Sequence, residues 1–164
     1  MSQDTDGAHV SASSTSSSTG GPASSSIDLS VDAETVWHAL VTDGGLEPWM
    51  GEGSTIDPEV DGALHLVDLV GGRPRSGRVD RVEDRACLEF TWWPDHRPIE
   101  RTKVSIQLTP IESGTRVTVT ESLPRSTQVS SGVKLSVGST TGVMRGAWLW
   151  RLAVLSLATQ VAKV

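Results

Sequence analysis

The chain has 164 residues, a formal net charge of −6, one cysteine, no tyrosine and six tryptophans. That length fits one domain of ordinary size, and an acidic balance without a basic block disfavours phosphate backbones and anionic membranes as partners. The lone Cys87 excludes an intrachain disulfide and a cysteine-framed zinc site.

Residues 1–25 are rich in Ser, Thr and Gly. Their apolar content is too low to offset the entropy of ordering, which predicts a disordered tail followed by one domain over 26–164. The start has neither the basic nor the apolar region of a secretion signal, so a cytoplasmic location is expected. Ordered structure is expected from Ile27, where IDLSV alternates as a half-buried strand does. Asp32 then offers an N-cap, and Val36, Trp37, Leu40 and Val41 recur at helical spacing. Thr42-Asp43-Gly44-Gly45 reads as the end of that helix, with LEPWM at most a short second one. An extended piece is expected around Thr55 and Ile56.

From Ala63 the period becomes two. ALHLVDLV alternates and is followed by a Gly71-Gly72 turn. SGRVDRVE alternates with Val79 and Val82 slightly out of step. CLEFTWW places Leu88, Phe90 and Trp92 on one side, and RTKVSIQLTP places Val104, Ile106 and Leu108 on one side. After Ser113-Gly114, TRVTVTES sets Val117 and Val119 against Arg116, Thr118 and Thr120. Strands joined by short turns predict an antiparallel meander with one covered face. Pro124 to Gly142 is long and polar for a connection, either a mobile lid or plain slack.

The last stretch, Val143 to Val161, is long enough for about five helical turns. Trp148, Leu152, Leu155 and Thr159 share one face; Trp150, Val154, Leu157 and Val161 share the next. The apolar surface is wider than the roughly 100° stripe of a one-sided helix, which predicts cover almost all round. Arg145 and Arg151 interrupt it, and the apolar run falls short of the ~20 residues of a membrane span.

One strand, two short helices, an antiparallel run and a long last helix is the helix-grip order, an α+β fold. The chain resembles the START-like (SRPBCC) superfamily, and within it the bacterial homologues of the heat-shock ATPase activator. The likeness rests on V-x-A-x-x-V-W-x-A-L (Val31 to Leu40), L-x-x-W-x-G (Leu46 to Gly51), G-x-L-x-L (Gly62 to Leu66), G-x-V-x-x-V (Gly77 to Val82), L-x-F-T-W (Leu88 to Trp92) and G-T-R-V-T-V-T (Gly114 to Thr120). Members usually carry a second aromatic where this chain has Met50. The resemblance implies a curved sheet wrapped around the last helix, with a cavity between them.

Alternation places Leu64, Leu66, Asp68, Phe90, Trp92, Val104, Ile106, Val119 and Glu121 inward, faced by Trp148 and Leu152. With Trp49, at the cavity mouth or stapling its short helix to the sheet, these form the expected ligand-binding set or simply the core. Asp68 and Glu121 are the unusual pair, because burying a lone carboxylate costs several kcal/mol unless it is paired or protonated. Strand-end positions in water are the alternative for both. Cys87 reads as a buried inert thiol.

His9, His38, His65 and His96 share no local metal-ligand spacing, and no nucleophile–base arrangement or phosphate-binding glycine motif is present. No catalytic residue, metal or cofactor is expected. The leading expectation is binding of a small hydrophobic or amphipathic ligand: a lipid, an isoprenoid or a polyketide-like compound. A cyclase or hydratase using a cavity carboxylate and a protein-interaction module acting on a chaperone ATPase are the alternatives. A protein partner or homodimer stays open, and exposed Trp93 is one place it could form.

Overall fold

The computed structural model describes residues 23–67, 73–122, 148 and 151–159. A seven-stranded antiparallel sheet runs in the order β1-β7-β6-β5-β4-β3-β2. Its strands are β1 (Ala23–Leu29), β2 (Thr55–Ile56), β3 (Ala63–Val67), β4 (Pro74–Glu83), β5 (Cys87–Pro94), β6 (Thr102–Ile111) and β7 (Gly114–Ser122). Helices α1 (Ala33–Val41) and α2 (Asp43–Met50) follow β1. The last helix, α3, comprises the helical residues 148 and 151–159. This is the expected helix-grip architecture. No helix among the described residues is long and apolar enough to cross a membrane.

β1 begins at Ala23, earlier than alternation indicates, because Ala23 to Ser26 pair in register with Glu121 to Thr118 of β7. Backbone pairing asks for no apolar side chain, and Ser26 adds a hydroxyl contact to Thr118 at 2.9 Å. Asp32 caps α1 as expected, accepting from the Thr35 N–H at 2.8 Å. Thr42 to Gly45, by contrast, begin α2. The Thr42 hydroxyl oxygen accepts from the Gly45 N–H at 3.0 Å and donates to the His38 carbonyl at 2.7 Å, so one side chain closes α1 and caps α2.

The out-of-step valines of β4 have a local cause. A register shift between Val79 and Arg81 opposite β5 marks a bulge, which changes the phase of the strand. Predicted strand residues 68–70, the Gly71-Gly72 turn and the 124–142 connection lie outside the described residues.

The concave face of the sheet forms one apolar core with the three helices. From α3 it receives Trp148, Leu152 and Leu155, and Thr159 is also buried. The second face of α3 is not covered as expected: Val154 is half-buried and Leu157 is 65% exposed. Trp150 and Val161 lie outside the described residues. Arg151, placed by sequence as an interruption, is instead 3% exposed. Trp93 is half-buried, with the Arg101 guanidinium 4.6 Å above its ring.

Candidate functional site

The sheet register brings three side chains together on the concave face. Trp92 lies opposite Thr102 across β5 and β6, and Val104 lies opposite Glu121 across β6 and β7. Thr102 and Glu121 are therefore diagonal neighbours on one face, within reach of each other. Gly77 opposes Trp92 from β4, and a Cβ there would stand 3.1 Å from the Trp92 Cβ and 2.7 Å from the Thr91 carbonyl oxygen. The missing side chain is what lets β4 lie close to β5 beside Trp92.

Glu121 is 3% exposed and takes hydrogen bonds on both carboxylate oxygens. Oε1 accepts from Trp92 Nε1 at 2.8 Å and from the Thr102 hydroxyl at 2.5 Å. Trp92 Nε1 also shares its proton with Thr102 Oγ1 at 2.9 Å. Oε2 accepts from Trp148 Nε1, on α3, at 2.7 Å. All three partners are donors, the arrangement that suits an acceptor-only carboxylate. Taking the carboxylate away would strand buried donors at about 1–3 kcal/mol each.

Two guanidinium groups complete this polar node. The Arg75 Cζ lies 4.1 Å from the Trp92 ring centroid, and the Arg151 Cζ lies 5.3 Å from Trp92 and 4.8 Å from Trp148. These are cation–π distances. The two indoles stand 5.6 Å apart with their planes tilted by 31°. Sheet and last helix are thus joined here by charge, hydrogen bonds and ring contacts together.

Under α2 the interior has a different chemistry. A void of about 10 Å³ is lined by Leu40, Leu46, Trp49, Met50, Ile56, Leu64, Leu66, Leu88, Phe90 and Ile106, every one apolar. This is about the space of one water molecule. Trp49 is a buried staple at its edge: its indole donates to the Ala39 carbonyl at 2.9 Å and ties α2 to α1. Phe90 joins the two regions, meeting Trp92 edge-on at 5.6 Å between centroids.

The expected set therefore divides. Trp49, Leu64, Leu66, Phe90 and Ile106 border the void, whereas Trp92, Glu121 and Trp148 build the node. Val104, Val119 and Leu152 pack in the same core cluster. Of the two carboxylates, Glu121 is buried and hydrogen-bonded, not in water at a strand end; Asp68 lies outside the described residues. Sequence reasoning passed over Thr102, Arg75 and Arg151. Thr102 is in phase with Val104 and Ile106, and Arg151 is one helical turn from Trp148, so strand and helix periods pointed to both. Polarity alone set them aside.

The surroundings of Cys87 agree with an inert thiol. It is buried, and that burial, aided by the negative charge of Glu89, pushes its pKa above the ordinary value.

The profile of the family described as Activator of Hsp90 ATPase homolog 1-like protein matches residues 30–152. Among solved structures, protein MLL2253 from Mesorhizobium loti is 21% identical at a TM-score of 0.66, covering 85% of this chain and 97% of that one. An Aha1 dimer from Colwellia psychrerythraea is 18% identical at a TM-score of 0.67, covering 88% and 99%. DynU16, a putative protein in the dynemicin biosynthetic locus, is 19% identical at a TM-score of 0.68; 86% of this chain matches 48% of that one. At these identities the structural likeness establishes the shared fold. No match was found among curated proteins. With a profile spanning most of the described domain and the helix-grip fold in place, the chain belongs to the Activator of Hsp90 ATPase homolog 1-like family of the START-like (SRPBCC) superfamily.

Proposed function

We propose that the protein binds a small hydrophobic or amphipathic ligand in the interior that the sheet encloses with its helices. The observation that carries this reading is the wall of ten apolar side chains around unfilled space in a helix-grip fold. Pockets for small molecules are mostly apolar, with a few polar groups that orient the ligand. The void is far smaller than any ligand, so binding must enlarge it. The node also bears on the choice between carrier and enzyme. Glu121 Oε1 and Oε2 are already engaged by two indoles and a hydroxyl, so a substrate would have to displace one of those donors to reach the carboxylate, which favours the carrier. A role in the cytoplasm is part of the same proposal.

Native mass spectrometry of protein purified from its own host, followed by extraction and identification of anything bound, tests the reading. A retained apolar molecule supports it. A protein that stays empty after soaking with lipids and apolar aromatics counts against it and moves the protein-interaction reading forward.

A further inference from the structure

We infer that the apolar body of the ligand lodges under α2, in an enlarged form of the void between Leu46, Met50 and the sheet, and that this part of the ligand is an acyl or isoprenoid-like hydrocarbon. The inference rests on the proposed ligand-binding function and narrows it to one place and one chemistry.

Every side chain around the void is apolar. A hydroxyl or carbonyl placed there would lose its water partners and gain none. At the other end of the interior, the Glu121 oxygens and both indole N–H groups are engaged with one another. A guest seated among them would have to break that shared set of buried hydrogen bonds, whereas a guest under α2 meets only apolar side chains, and the Trp49–Ala39 and Ile56–Asp43 hydrogen bonds that anchor α2 must move with it or give way. The difference favours α2 and disfavours an oxygenated polyketide-like aromatic.

The wall on that side is also the one able to yield. Met50 is unbranched and adapts to the shape of its neighbours. α2 has only eight residues, including Gly44, Gly45 and Pro48, and glycine and proline are the weakest helix formers. Enlarging a void of about 10 Å³ to the roughly 300 Å³ of a small ligand site requires a wall to move. Moving α2 outward does not touch the Glu121 node; the bonds it strains are Trp49 to the Ala39 carbonyl and the Ile56 N–H to Asp43.

The test uses the full chain and two compounds: cis-parinaric acid, a fluorescent acyl chain, and quercetin, an oxygenated aromatic. Binding is followed by tryptophan quenching. Parinarate is expected to bind about tenfold or more tightly than quercetin. Met50→Phe and Leu46→Phe, which fill the void from two positions, should each weaken parinarate binding by about tenfold or more. Leu108→Phe enlarges a buried side chain away from the void and should change binding by less than about twofold. A melting transition in each variant reports whether it is folded. Parinarate binding that ignores both α2 substitutions, or tighter binding of quercetin, overturns the inference while leaving the proposed function standing. If wild-type protein binds neither compound, both fall together.

Discussion

Trp148 donates its indole N–H to Glu121 Oε2 at 2.7 Å, and with that bond the last helix is tied to the last strand through a buried carboxylate. Helix and strand each bring a side chain the other needs. Without the other, the indole would be an unsatisfied donor in an apolar core, and the carboxylate would keep only the Trp92 and Thr102 donors on Oε1.

Glu121→Ala should therefore destabilise the fold far beyond the loss of one methylene. We expect about 3–5 kcal/mol, the range for removing one member of a buried charged network, read from urea denaturation. Thr102→Val removes one donor and should cost about 1–3 kcal/mol. A Glu121→Ala loss below that of Thr102→Val would contradict the assignment of Glu121 as the centre of the node.

Packing and hydrogen bonding at Trp148 can be separated. The side chain is 1% exposed, so Trp148→Ala should cost about 3–5 kcal/mol. Trp148→Phe keeps much of the buried area and loses the N–H, so the loss should fall to about 1–3 kcal/mol. Equal losses from the two variants would mean that the hydrogen bond dominates and the ring contributes little.

At the sheet edge, Arg116 grips Asp28 with two hydrogen bonds, Nε to Oδ1 at 2.7 Å and Nη2 to Oδ2 at 2.9 Å. Those hydrogen bonds hold the Asp28 carboxyl below its ordinary value of 3.8; slight desolvation opposes them and the guanidinium charge assists. A carboxyl depressed in the folded state adds stability that is present above its unfolded pKa and lost as pH falls through the folded one. The contribution should be small, weakened by salt, and lost only below about pH 4. Arg116→Ala should move the Asp28 titration upward to the ordinary range, followed by carboxyl chemical shifts. An unchanged titration would refute the pairing in solution.

Cys87 supplies a chemical check on the sheet. Its raised thiol pKa and its burial predict very slow reaction with Ellman's reagent at mildly alkaline pH, and rapid reaction once the protein is unfolded. Labelling of the folded protein at the rate of a free thiol would place this residue on the surface.

The N-terminal boundary gives a further test. A chain starting at Ile27 lacks the four β1 residues that pair with Thr118 to Glu121, whereas a chain starting at Ala23 keeps them. We expect the shorter chain to melt lower, and the longer one to match the full chain. Equal melting temperatures for the two truncations would show that this end of β1 adds nothing to the sheet.

Much of the architecture was legible in the residue pattern, because each element announces itself through a local period. The two-residue alternation of Leu88, Phe90 and Trp92, and of Val104, Ile106 and Leu108, sorts those strands into buried and exposed faces. The face of Trp148, Leu152, Leu155 and Thr159 is buried as its helical spacing requires. Asp32 caps α1 for the same local reason. Where backbone pairing or one hydroxyl decides, as at the start of β1 and at Thr42, side-chain polarity is silent or misleading.

The site is another matter. Alternation could say that Glu121 points inward, but not what meets it there. Its partners Trp92, Thr102 and Trp148 come from two other strands and a helix, and only strand register and helix docking bring them within hydrogen-bond reach. The burial of Arg151 follows from the same docking, which sets its guanidinium over the rings of Trp92 and Trp148. Local pattern thus determined which residues face the interior. Tertiary packing alone decided that one end of that interior is a hydrogen-bonded node and the other an apolar void, because both depend on contacts between residues far apart in the chain.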